Sequence, residues 1–502
     1  MNQKLFATAV LILLIVSGCA SAPPSGASRV ESRVVGENQV AASGKLQPSS
    51  GPAALAKVPA SDNQPAETRL IAHEEEVPLP HEHPETALSP VVAAHKHEVL
   101  ALADLEGMAL ANNPTLVQAT AQINGERGAA YQAGLWFNPV VGYTGEQIGV
   151  NGTAGETQGG YVSQEFVTGG KLRLSRSKYA QRALIASTNS YAQQQRVLND
   201  VHTQFYRTLA AQRVVAIQGD LVANSQDNLQ TQREMLNLGQ TTASAVLQAE
   251  VELRRDQLKL KDAENELQYS WRSLVALAGV PLLPQTTLQG VLTTAEEPLD
   301  YDTALAEVLS RSPELAAAAQ KIRHDEIAVE RECAEPTPNV LVNAVVGRNF
   351  EVGGTTGGLN VGLRLPVFNR NQGTIQQAQA DLNRARAEAR RLELELQTRL
   401  AAEYRKYRSA WQHVEEYQAE ILPKAQEAYE LLAQSYKQRR ATWVDVLAAQ
   451  RMHMTLDIEY VESLKTYREG DIAIRGMLLT GGLTEPTGAV GGGHIDATPT
   501  PR

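Results

Sequence analysis

Five histidines, His73, His81, His83, His95 and His97, fall within 25 residues, half of the ten in the chain. Glu74, Glu75, Glu76 and Glu82 lie among them. Imidazole and carboxylate together suit Zn²⁺, Co²⁺, Ni²⁺ or Cu²⁺. The His-Glu-His and His-Lys-His spacings are too loose for a fixed structural site, so the chemistry they offer is labile collection of a divalent metal. A solvated polar tail is the alternative reading. His202, His324, His413 and His453 stand singly on helical stretches and read as packing or surface residues.

Cys19 offers a different chemistry. Lys4 opens a short basic segment, Leu5–Val16 is a twelve-residue apolar run, and Ser17-Gly18 precede the cysteine. Crossing a bilayer as a helix takes about 20 apolar residues, so the run reads as a secretory signal peptide over 1–18. Its end resembles the lipobox of bacterial lipoproteins, which implies a covalent lipid on Cys19. The absence of Asp at Ala20 favours the outer membrane. Cys333 is the other of the two cysteines, which leaves no intrachain disulfide once Cys19 is lipidated.

Catalytic patterns are missing. Thr168-Gly169-Gly170-Lys171-Leu172 lacks the leading Gly and the Ser/Thr of a phosphate loop, and neither HExxH nor GxSxG occurs. The chain does not read as an enzyme and needs no further cofactor. Its net charge of −10 and lack of basic runs argue against nucleic acid. Beyond the signal no stretch of 18 apolar residues occurs, which argues against a membrane-spanning helix. Aromatic residues are only 5% while Ala, Gln, Leu, Glu and Arg abound, a balance that suits long helices.

The elements that position these groups come in two copies. Asn113-Pro114-Thr115-Leu116 matches Ser312-Pro313-Glu314-Leu315 at an offset of 199, as Pro139 matches Pro338. Val246-Leu247-Gln248-Ala249 matches Val446-Leu447-Ala448-Ala449 at an offset of 200. The period exceeds that of solenoid repeats and indicates duplication of a whole half. The organisation is a signal peptide (1–18), a disordered His-containing segment (19–98), a first repeat (99–285), a second repeat (286–480) and a Gly/Pro/Thr-rich disordered tail (481–502).

Each half predicts one helix of about thirty residues (105–136; 303–334). Two strands follow (139–148 with 160–167; 339–350 with 358–367), then two long helical stretches (171–237 with 242–279; 371–437 with 442–479). Leu359, Val361, Leu363 and Leu365 alternate with Asn360, Gly362 and Arg364, and Pro366 closes the run. Ile375, Ala378, Leu382, Ala385, Ala389, Leu392 and Leu396 follow a heptad seam. Pro423 predicts a kink. Four strands cannot close a barrel, and an open edge in lipid leaves unpaired backbone groups. Three chains pooling twelve strands would close one.

The chain resembles the TolC-like outer-membrane efflux family over about residues 99–480. The resemblance rests on Ala109-Leu110-Ala111-Asn112-Asn113-Pro114, Ala133-Gly134-Leu135 with Asn138-Pro139, Gly169-Gly170-Lys171, Leu238-Gly239 and Leu365-Pro366-Val367-Phe368-Asn369-Arg370-Asn371. It implies a mainly α fold with a membrane β-barrel: a homotrimer whose 12-stranded barrel continues into a long periplasmic helical barrel. It implies the exit duct of a tripartite pump, with a periplasmic adaptor and an inner-membrane transporter of the resistance–nodulation–division type. The histidines tilt the type toward the cobalt–zinc–cadmium heavy-metal efflux lipoproteins. A drug-efflux or type I secretion duct is the alternative within the class, and a coiled-coil envelope lipoprotein the rival outside it.

By the same resemblance the turns 237–243 and 437–443 form the periplasmic tip. Leu238, Gly239, Gln240 and Arg439 would dock the adaptor, while Asp445, Tyr436 and Arg440 would form the gate. A symmetric trimer would turn Asp445 into a ring of three carboxylates that attracts cations. The alternative for Asp445 is a helix-start acid. The sequence departs from the family pattern at Ala448, where some relatives have a second gate aspartate, at Ala441, the gate arginine position, and at Arg439, where a turn glycine is usual.

Overall fold

A computed structural model describes residues 99–146, 148, 156–293 and 297–488. The signal peptide, Cys19, His73, His81, His83, His95 and His97 lie outside the described residues. The order is β1 (Val99–Ala101), α1 (Leu102–Asn112), α2 (Pro114–Ala133), β2 (Val140–Glu146), β3 (Thr157–Phe166), α3 (Lys171–Asn237), α4 (Ala243–Leu277) and β4 (Thr287–Gln289). The second half continues with α5 (Tyr301–Arg311), α6 (Pro313–Ala334), β5 (Val340–Asn349), β6 (Gly354–Leu363), α7 (Gln372–Glu416), α8 (Leu422–Lys437) and α9 (Trp443–Arg475). None of the described helices is long and apolar enough to cross a membrane.

The duplication is real in three dimensions, with local corrections. The first helix of each half is two helices. Asn113 and Ser312 leave the helical region through ψ, at 120° and 119°, and their side chains accept from the amides of Thr115 and Leu315. Pro114 and Pro313 then sit at the first helical position, where their missing N–H costs nothing. Periodicity ran through the break because both segments press one face on the same neighbour.

The 67-residue α3 is about 100 Å long at 1.5 Å per residue. Its counterpart is interrupted by a π-helical turn at Tyr417–Ile421, directly before Pro423. The wider turn accommodates a residue that can neither donate nor approach the preceding carbonyl closely. Ala378, Ala385 and Leu396 of the heptad seam are buried, and the other four are half-buried. Leu396, Leu400, Tyr407 and Tyr467 anchor the second-half core, with the two tyrosine rings stacked at 5.2 Å.

The four-stranded antiparallel sheet has the order β2-β3-β5-β6. β3 and β6 begin at Thr157 and Gly354, earlier than predicted, and β6 ends at Leu363, before Leu365 and Pro366. A second pairing was not foreseen: β1 and β4 lie parallel, Leu100 opposite Leu288. Both leucines enter one core with Phe205, Trp271 and Leu274, so the first half extends past the boundary placed at residue 285.

The tail also departs from expectation at its start. Asp200 accepts from the amides of Gly481 and Gly482 at 3.1 and 2.7 Å. Buried Gln193 donates to the Gly482 carbonyl at 3.1 Å, and Asn189 to that of Thr487 at 2.9 Å. Polar α3 side chains thus satisfy backbone that composition alone could not order. Residues 489–502 lie outside the described ones.

Candidate functional site

Cross-strand register sorts the sheet into two faces. Val141, Val162, Ala344 and Leu359 form one row, with Phe166, Val340 and Leu363 in another row of the same face. The opposite face carries Val140, Ser163, Asn343 and Asn360, then Thr144, Gly159, Gly347 and Thr356. The first face is mostly aliphatic, with Gln158, Gln164 and Arg348 also on it; the second is mostly small and polar, with Val140, Tyr161, Leu341 and Val345 also on it. Close strand approach dictates some glycines. A Cβ on Gly142 would lie 2.6 Å from the ring of Tyr161 directly across from it. At the helix end of the sheet Trp136 meets Phe166 edge-on at 6.2 Å.

The two helix hairpins end in matching turns. Gly239 and Arg439 both adopt positive φ, and the amides of Gln240 and Arg440 each donate five residues back, to Met235 and Ser435, at 2.8 Å. This closes the last carbonyls of α3 and α8. Thr242 and Thr442 then cap the outgoing helices. Leu238 is 71% exposed at the first tip. At the second, Tyr436 packs on Trp443 with ring centroids 5.2 Å apart.

Asp445 belongs to the second cap. Its Oδ2 accepts from the Thr442 amide at 2.9 Å and the Thr442 hydroxyl at 2.7 Å, while its own amide donates back to that hydroxyl at 3.2 Å. Those hydrogen bonds, the hydroxyl's first, hold its carboxyl below the usual carboxylate range. Within one chain the carboxylate therefore does the work of the helix-start acid. The first tip has Ala245 there and no such box.

Sequence reasoning missed a polar cluster deeper in the hairpins. Asp256 on α4 is 2% exposed and accepts from Ser225 on α3 and Arg451 on α9. Arg451 also binds Glu252, and Asn224 donates to Gln450 at 3.0 Å. These bonds tie the first hairpin to the second. A signal existed: Val246, Ala249, Leu253 and Asp256 keep a strict seam spacing with a carboxylate in the last place. No cluster of three or more His, Cys, Asp or Glu side chains could hold a metal ion among the described residues.

The model for the outer membrane efflux protein family matches residues 105–280 and 304–478, one match per repeat. The chain belongs to the outer membrane efflux protein family. The cobalt-zinc-cadmium resistance protein CzcC of Cupriavidus metallidurans is 24% identical over 390 residues, covering 76% of this chain and 91% of that protein. Among solved structures, CusC superposes with a TM-score of 0.62 at 16% identity, over 76% of this chain and 92% of that one. The outer-membrane channel OprN gives 0.62 at 18% identity, over 76% and 91%. VceC of Vibrio cholerae gives 0.61 at 17%, over 76% and 96%. These likenesses establish the fold.

Proposed function

We propose that the chain is the passive exit duct of a tripartite efflux pump for heavy-metal cations. The observation that supports this is the sheet: four strands with one mostly aliphatic face, one mostly small and polar face and two open edges, β2 and β6. An edge in lipid leaves its N–H and C=O groups unpaired at several kcal/mol each. Three copies joined edge to edge make a closed 12-stranded barrel, aliphatic side to lipid and polar side to water. The long helices carry the conduit into the periplasm, where the tips meet a periplasmic adaptor and an inner-membrane transporter of the resistance–nodulation–division type. A lipid on Cys19 anchors the chain to the outer membrane. The duct does no chemistry of its own.

The metal assignment is supported by the likeness to CzcC, by His73, His81, His83, His95 and His97 as a labile collecting segment, and by the acidic chain. Mass measurement in detergent tests the assembly, with three chains as the expected result. Growth of a deletion strain in zinc, cobalt, cadmium, nickel, copper and silver tests the cargo. Wild-type tolerance to every metal together with sensitivity to drugs would replace the heavy-metal duct with a drug duct.

A further inference from the structure

Of the described residues that the ladders place on the mostly aliphatic face, only Arg348 is charged. Down β5 that face reads Val340, Val342, Ala344, Val346 and then Arg348. At its own rung Arg348 stands between Gln158 of β3 and Thr355 of β6. The rung is polar across all three strands, whereas the rung of Val340 holds Phe166 and Leu363. Both neighbours of β5 belong to the same chain, so this arrangement does not depend on how copies meet.

Arg348 also sits at a particular height. From Val340 to Arg348 the strand advances about 26 Å, at roughly 3.3 Å per residue. With strands tilted by about 40° this is roughly 20 Å, most of an apolar band about 25 Å tall. Trp136 and Phe166 mark the end of the band next to the helices. Arg348 marks the other end, which in the barrel proposed above faces the exterior. A lipid-facing arginine is strongly destabilising at mid-membrane and nearly neutral at an interface, so this is the height at which the face tolerates one.

The guanidinium is steadied but not neutralised. It lies 5.9 Å from the ring centre of Phe350, which is 50% exposed. Among the described residues it makes no ion pair or hydrogen bond; Glu156, whose carbonyl accepts from the Phe350 amide one rung further out, does not pair with it. One rung inward, Val346 stands between Gly160 and Gly357 and is 65% exposed. A Cβ on either glycine would meet nothing closer than a backbone oxygen at 3.8 Å. Beneath the guanidinium there is thus a shallow hollow on each side of one valine.

We propose that Arg348, with Gln158 and Thr355, binds a phosphate of an outer-leaflet glycolipid, whose acyl chains run down the hollows beside Val346. This rests on the membrane barrel proposed above and gives its lipid face an occupant. The planar fork of a guanidinium fits two phosphate oxygens at once. The Thr355 hydroxyl and the Gln158 amide, one on each side, are placed to donate to a third. The opposite face offers no such set. Its rungs at this height are Glu146, Thr157, Asn349 and Gly354, then Thr144, Gly159, Gly347 and Thr356, with no cation among them.

Native mass spectrometry of the full-length protein released from detergent reads assembly and bound lipid together. With diphosphorylated lipid A added, the wild type should retain it, and Arg348→Gln should retain about tenfold less, as loss of a charge-assisted bidentate pair does. Arg348→Lys keeps the charge without the fork and should fall between them. Arg364→Gln, which removes an exposed arginine at the helix end of β6, should match the wild type. Undiminished retention in Arg348→Gln, or equal retention of lipid A stripped of its phosphates, would overturn the site. Phosphatidylglycerol held as tightly as lipid A would overturn the outer-leaflet assignment, and displacement by millimolar inorganic phosphate would replace the lipid with a free anion. The site lies within one chain, so failures separate. A three-chain mass with no dependence on Arg348 would sink the lipid site and leave the duct standing, whereas a single-chain mass would sink the trimer.

Discussion

Gly239 and Arg439 hold the same left-handed position at the two hairpin tips, with φ of 70° and 59°. Their amides donate to the carbonyls of Leu236 and Tyr436 at 3.0 and 2.8 Å. The turn geometry is therefore preserved although one half has lost its glycine. A side chain in this region costs about 1 kcal/mol because Cβ crowds the backbone. Arg439→Gly should steady the second tip by about that amount. Hydrogen exchange of amides 436–441 would show it as slower opening. Faster opening would mean that the arginine side chain recovers more than the backbone loses.

Asp445 and Thr442 make opposite predictions for the pore. The hydrogen bonds from Thr442 depress the Asp445 pKa. The cap is therefore complete above the unfolded carboxylate value of about 3.9 and is lost as pH falls through the lower folded value. At neutral pH the carboxylate is both charged and engaged. If three of them face one pore, Asp445→Asn should weaken block by a trivalent cation. Thr442→Ala should free the carboxylate and strengthen that block. Bilayer conductance decides between the roles: block unaffected by either change would leave Asp445 as a helix-start acid alone.

The sequence displayed what is local. Asn113-Pro114 and Ser312-Pro313 mark the duplicated halves because capping and proline geometry act within a few residues. The alternation of Leu359, Val361 and Leu363 marks the second half of β6, where one face of the strand is aliphatic; its first half, with Thr355 and Gly357 on that face, gives no such signal. What stayed hidden depends on partners far along the chain. β1 and β4 are three residues each, too short to show a period, and their pairing is decided by Leu100 and Leu288 sharing a core. Gly481 and Gly482 look like tail until Asp200, some 280 residues earlier, accepts from their amides. At the candidate gate, residue types alone left Asp445 open between pore ring and cap. The cap is visible only once Thr442 is seen beside it.

Asp200 makes the C-terminal strap pH-sensitive. Burial pushes its carboxyl upward, and the Gly482 and Gly481 amides only partly oppose this. A raised acid pKa means that the folded state holds the proton more tightly than the unfolded state. Stability should thus rise as pH falls through the raised value and be lower above it. Asp200→Asn keeps an acceptor for both amides and removes the buried charge. Melting curves between pH 4 and pH 8 should flatten in this variant, with no loss at neutral pH. A variant that melts earlier at neutral pH would show that the charge itself holds the strap.

Anchoring can be separated from assembly. Cys19→Ala should abolish incorporation of labelled palmitate while the barrel still inserts, with fewer assembled channels. In the barrel proposed above the sheet, and not the lipid, would carry the membrane-spanning part, so insertion should persist. Absence of label in the wild type would dispose of the lipid anchor.

Arg451 holds the buried Asp256 in place, and its loss should be the most damaging single change in the hairpins. Asp256 is nearly inaccessible, and its partners are Ser225 on α3 and Arg451 on α9. Removing one member of a buried pair strands the other charge at a cost of about 3 kcal/mol or more. Arg451→Met should therefore loosen both hairpins together, since α3, α4 and α9 share the cluster. Asp256→Asn in the same chain should restore most of the loss, because a neutral amide needs no counter-charge. Limited trypsin cleavage near residues 233 and 439–440 reads the loosening at each tip. If Arg451→Met exposed only the second hairpin, or if Asp256→Asn failed to rescue it, the cluster would be a local ion pair and the hairpins would move independently.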